Sequence, residues 1–162
     1  MYFRDTSPSN KMTFVVDCML GKLAKWLKIL GFDVLFFPKA EDDELLAIAR
    51  EDGRTLLSRD RALLGRAKGL TKLLIESETW EDQVRQVMDR FGLRPLARPY
   101  SRCVECNAAL KPITKAEAAN LVTPFVLEHA ASFAVCPACA RVYWPGTHFK
   151  DMESKLAEIL KK

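Results

Sequence analysis

From Thr13 to Gly92, short runs rich in β-branched and aromatic residues alternate with stretches whose apolar positions recur every three or four residues. The first pattern is that of strands and the second that of amphipathic helices, so their alternation predicts βα units around a mostly parallel sheet. "TFVV" (Thr13 to Val16) reads as the first strand. "MLGKLAKWLKILG" sets Leu20, Leu23, Leu27 and Leu30 at helical steps, puts Lys22, Lys25 and Lys28 on another side, and ends at Gly31, a natural helix stop. "FDVLFF" (Phe32 to Phe37) reads as strand two, "DDELLAIAREDG" as a helix closed by Gly53, "RTLLS" as strand three and "TKLLIE" as strand four. A further helix over roughly Trp80 to Phe91 follows a capping Ser77 or Thr79 and stops at Gly92.

The periodicity breaks at "LRPLARPYSR", whose prolines and arginines read as a linker. The expected organisation is a loose leader over 1–12, an α/β domain over 13–94, a linker over 95–102, a second unit over 103–148 and a terminal helix over 149–162. That last helix carries Met152, Leu156, Ile159 and Leu160 on one face. There is no internal repeat and no low-complexity tract.

Composition narrows the class. Of 162 residues, 49% are hydrophobic and 28% charged, which is ordinary for a folded soluble chain. Lysines interrupt the most apolar helix, so no run approaches the roughly 20 residues that span a bilayer. "MYFRDTSPSNKM" lacks the apolar core of a signal peptide, and the expected location is cytoplasmic. The net charge is only +4, but between Arg54 and Lys72 six basic residues accompany a single acid, Asp60. Such an excess suits a polyanionic partner, although a solvated helix face has the same look.

"RCVECN" and "VCPACA" hold Cys103, Cys106, Cys136 and Cys139, two C-x-x-C pairs separated by 29 residues. Two such knuckles close a tetrahedral four-thiolate zinc site. Disulfides do not fit a chain without a secretory segment, and a redox dithiol needs one pair, not two. With four sulfur ligands no water reaches the ion, so Zn2+ is expected to be structural. Cys18 stands apart and reads as a small buried hydrophobe. His129 and His148 both lie in the second unit, where packing or surface roles are the default.

The remaining chemistry sits at strand ends. Asp17 follows strand one and Asp60 lies just beyond strand three, at the carboxyl ends of parallel strands, where open α/β sheets bind ligands. If the strand order is 2-1-3-4, the switch point falls between strands one and three, and the two carboxylates then face each other there. Asp42, in line with Ala49 on the second helix, is the third inward acid, with Asp43 exchanging for it if the boundary moves by one residue. Converging carboxylates call for a hard divalent cation, Mg2+ or Mn2+, which activates water against a phosphodiester. Ser58 adds a hydroxyl at the rim, and Arg59, Arg61 and Lys22, with Lys25 beside it, supply phosphate contacts. Aspartates at such places also serve as helix caps and turn residues.

The stretches "VVDCMLGKLAKWLKILGFDV", "DDELLAIAREDGRTLLSRDRALL", "RCVECNAAL" and "CPACARVYWPGTH" closely resemble the PIN-like ribonuclease family with a C-terminal zinc ribbon, named after the C-terminal region of the Mut-seven exonuclease. The resemblance covers roughly Phe14 to Met152. It implies a PIN-like, Rossmann-like α/β parallel sheet with flanking helices, a small C-terminal zinc ribbon, and metal-dependent endoribonuclease activity on single-stranded or loop RNA. Asp17, Asp42 and Asp60 fall on the acidic positions. A fourth acid usual in PIN nucleases has Glu76 as its first candidate and Glu78 as its second. The alternative is a non-catalytic module that binds RNA or protein. In "YWPGTHF", Tyr143 and Trp144 either complete the small zinc-site core or present a stacking surface to a base.

Overall fold

The computed structural model describes residues 12 to 161. The leader expected over 1–12 therefore lies, except for Met12, outside the described residues. Four strands, β1 (Thr13–Val16), β2 (Asp33–Phe36), β3 (Thr55–Ser58) and β4 (Lys72–Leu74), form one parallel sheet in the order β2-β1-β3-β4. The order reverses between β1 and β3, which is the order supposed for the switch point.

Period two along each strand sorts the side chains into two layers. Phe14, Val16, Val34 and Leu57 face a core built with α1 (Gly21–Ile29) and α4 (Trp80–Arg90). Val15 and Leu56 face the other way, against Leu45, Leu46 and Ala49 of α2 (Asp42–Glu51) and Leu63 and Leu64 of α3 (Arg61–Arg66). Both layers are dry, which is why these strands read as continuous apolar runs. By the same alternation Asp17 continues the Val15 side and Ser58 the Leu56 side, so both leave the sheet toward α2 and α3.

Three antiparallel strands make up the second sheet: β5 (Lys111–Ile113), β6 (Phe133–Val135) and β7 (Val142–Tyr143). Two short helices, α5 (Lys115–Ala118) and α6 (Pro124–His129), lie between β5 and β6. The chain closes with α7 (Phe149–Leu160), whose Leu156 and Ile159 are buried in the core of α1 and α4. Among the described residues no helix is long and apolar enough to cross a membrane.

The two sheets are tied together around the end of α1. Lys28, expected on the solvent side with Lys22 and Lys25, is buried instead, and its ammonium donates to the carbonyls of Val104 (3.1 Å) and Glu105 (3.5 Å). Burial lowers its pKa. Gly31 adopts φ +92°, and an added Cβ there would stand 2.2 Å from the Arg98 carbonyl oxygen. Close approach lets the amides of Arg98 and Tyr100 donate to Leu30 and Ile29 at 2.8 Å each, so the segment expected as a linker lies along the end of α1. On the edge strand β2, the Val34 amide donates to Asn107 Oδ1 at 2.9 Å, which covers an otherwise open sheet edge.

Candidate functional site

The mouth of the parallel sheet is built around one serine. Ser58 ends β3, is fully buried, and donates from Oγ to Asp17 Oδ2 at 2.7 Å. Asp17 is itself only 6% exposed, and its amide donates to Leu57 O, so the exit of β1 is fixed against β3 by backbone as well as side chain. The Asp60 amide in turn donates to Ser58 Oγ at 2.9 Å. The hydroxyl is thus used as donor and acceptor at once, and it sets Asp17 and Asp60 on either side of the switch point.

Asp60 also caps α3: its Oδ1 accepts from the amides of Ala62 (2.7 Å) and Leu63 (3.1 Å). The turn-and-cap role weighed from the sequence is therefore real. It uses one carboxylate oxygen and leaves Oδ2 outside the cap, on an exposed residue at the rim.

Asp42 is half-buried at the first turn of α2 and Asp43 is exposed. The Arg66 guanidinium of α3 spans both, meeting Asp42 Oδ2 at 3.4 Å and Asp43 Oδ1 in a closer contact. Asp42 is thereby paired with α3 through the Arg66 cation, whereas Asp60 caps the start of that helix. Among the described residues the one group of three or more ligand atoms within 4.8 Å of one another is the cysteine set; Asp17, Asp42 and Asp60 do not form such a group. Arg59 pairs with Glu78 at 3.6 Å, while Arg61 and Lys22 are exposed. Glu76, also exposed, follows β4, and its amide donates to Gln86 Oε1. Cys18 corrects an expectation: it is exposed beside the mouth, and hydrogen bonding to Asp17, then burial and the Asp17 charge, raise its pKa.

The four cysteines converge as their spacing implied. Each knuckle repeats one backbone pattern. The Cys103 amide donates to Ala108 O and the Asn107 amide to Cys103 O; the Cys136 amide donates to Arg141 O and the Ala140 amide to Cys136 O. Asn107 (φ 70°) and Ala140 (φ 60°) take the left-handed turn that each knuckle requires. Asn107 tolerates that backbone well and carries a second function, donating from Nδ2 to Asp33 Oδ1 at 2.8 Å. The thiols lie at 3.7 Å (Cys103 to Cys139) and 3.3 Å (Cys106 to Cys136). Zinc–sulfur bonds of about 2.3 Å in a tetrahedron put sulfurs roughly 3.8 Å apart, so the cage fits that ion with a small expansion.

Tyr143 is the residue that the cysteine motif alone does not disclose. Its hydroxyl accepts the Val104 amide (3.2 Å), which directs the O–H proton to Cys103 Sγ at 3.0 Å. Burial disfavours the Cys103 thiolate. The Cys106 and Glu105 amides and the Tyr143 hydroxyl outweigh it and bring the pKa down to about 6. Cys136 is pushed up to about 12, chiefly by burial. A cation held by the four sulfurs would make four thiolates stable together here. Position alone, seven residues after the second knuckle begins, gave no sign of this contact. It appears only once β7 is paired with β6.

Residues 12–156 match the family model described as the Mut7-C RNAse domain, nearly the whole chain. No curated protein and no solved structure matches it. The parallel sheet with its helices, the cysteine cage behind it and the extent of that match agree, and the chain belongs to the Mut7-C RNase domain family.

Proposed function

We propose that this protein is a divalent-metal-dependent endoribonuclease that acts at the mouth between β1 and β3. The observation that carries the reading is the Asp17–Ser58–Asp60 bridge at the switch point of a Mut7-C RNase domain. Open α/β sheets take their ligands at this place, and two acids there suit a hard, oxygen-seeking cation. Asp17 and Asp60 would hold Mg2+ or Mn2+, which when bound would activate water and offset charge on the leaving oxygen.

The chain's own residues do the rest. Ser58 aims Asp17, and the α3 cap orients Asp60. Asp42 joins as third acid when Arg66 exchanges its carboxylate for a phosphate. Arg59 and Arg61, with Lys22 across the mouth, hold the RNA backbone by charge, and Glu78 keeps Arg59 extended until RNA arrives. The four cysteines hold a structural zinc, which needs the reduced thiols of a compartment such as the cytoplasm.

Zinc-loaded protein with manganese and labelled single-stranded RNA tests this. Cleavage is expected with wild type and lost in Asp17→Asn and Asp60→Asn while zinc content and folding persist. A non-catalytic RNA- or protein-binding scaffold is the second reading, favoured by the structural employment of Asp42 and Asp60 in an ion pair and a cap. Metal-independent RNA binding without cleavage would select it.

A further inference from the structure

A cleft of about 350 Å³ opens between α1, the segment before the first knuckle, β7 and the start of α7. Lys25, Tyr100, Tyr143, Trp144, Phe149 and Met152 line it. Three features distinguish it from an ordinary gap between two packed units. One wall is aromatic, with the Tyr100 and Phe149 rings packed against each other at 4.9 Å, and Trp144, also in the lining, is still 39% exposed. The Tyr143 hydroxyl is spent on Cys103 and Val104, so its ring is fixed in the wall. The rim is cationic: Lys25 is exposed there, and Lys22, one helical turn nearer the mouth, lies exposed on the same stripe.

Helix α1 starts four residues after Asp17 and spans nine residues, about 13 Å, so its lysine stripe leads from the mouth to the cleft. Resting on the ribonuclease reading, we infer that the cleft receives an unpaired base of single-stranded RNA, stacked on Trp144, while Lys25 and Lys22 hold the intervening phosphates. The volume admits a flat ring laid on the exposed Trp144, and stacking with a cationic rail is how single strands are gripped without sequence readout. The lining is mostly apolar and the rim positive, which disfavours an acidic-residue-free peptide and favours a flat polyanion.

The full zinc-loaded chain and a short fluorescent single-stranded RNA, without magnesium or manganese, measure binding apart from cleavage. Trp144→Ala is expected to weaken binding about tenfold, Trp144→Phe to restore most of it, and Lys25→Ala to weaken it severalfold with a shallower salt dependence. Zinc content is checked in each variant. Should Trp144→Ala lose zinc, Lys25→Ala on the other wall and Trp144→Phe decide. Wild-type affinity in both Trp144→Ala and Lys25→Ala overturns the inference, even if manganese-dependent cleavage is intact. Absence of cleavage with Trp144-dependent binding would instead remove the nuclease reading and leave the cleft as the site of a binding module.

Discussion

Ser58 Oγ donates to Asp17 Oδ2 at 2.7 Å across two neighbouring strands, and the same oxygen accepts the Asp60 amide. One buried hydroxyl therefore registers both acids of the mouth. Ser58→Ala leaves a buried carboxylate and an amide each short of a partner, an expected loss of about 1–3 kcal/mol. Chemical denaturation measures it. On the nuclease reading, misplacement of Asp17 also lowers manganese-dependent cleavage by about tenfold or more.

Gly31 joins the two sheets by close backbone approach. In Gly31→Ala the new Cβ meets the Arg98 carbonyl and Ser101 Oγ at a residue already at positive φ. Strain and overpacking together are expected to destabilise the fold by about 2–5 kcal/mol. Gly53→Ala serves as control: its φ is also positive, but nothing lies within 4 Å, so only the smaller backbone penalty is expected in the melting curve.

Asp33 gives the fold an acid-sensitive tie. Burial pushes its pKa up, but hydrogen bonds from Arg54 (2.7 Å) and Asn107, with the charges of Arg54 and Arg102, outweigh burial and lower it. A depressed folded-state pKa contributes stability above the unfolded carboxylate value, near 4, and that contribution is lost as pH falls through the folded value. Stability curves of wild type and Asp33→Asn should therefore converge as pH falls below about 4. Protonation of the cysteines acts on both chains and cancels in the difference.

Tyr143→Phe removes the hydrogen bond to Cys103 Sγ and leaves the ring in place. Partners of metal ligands commonly change metal affinity by about 10–100-fold, and weaker zinc retention of that order is expected. Competition with a chromophoric chelator reads it directly. Unchanged retention would mean that the hydroxyl serves only the Val104 amide.

Much of this was legible in the sequence because it rests on local period and spacing. The β1 bounds, β3 to within one residue, the cysteine cage and the exits of Asp17 and Asp60 follow from alternation, glycine stops and C-x-x-C turns, whereas the strand order was a supposition that the sheet matches. What was not legible depends on which surfaces meet. The six-residue α3 is too short to show a helical period in "RALLGR", and the Arg66 link to Asp42 and Asp43 depends on α3 lying beside α2. Lys28 kept a solvent-facing pattern by position, yet the first knuckle docks over it. Cys18 belongs to a 3₁₀ turn, Cys18–Leu20, which carries it outward where a continuous helix from Met19 was expected.

The central claim is that Asp17 and Asp60 jointly hold a catalytic cation at the mouth of the sheet. Anomalous diffraction from crystals of zinc-loaded protein soaked in manganese tests it most directly. The expected map has one manganese peak bonded to carboxylate oxygens of both residues. Manganese absent from the mouth, with Asp17 still bonded to Ser58 at concentrations that support RNA cleavage, would contradict it.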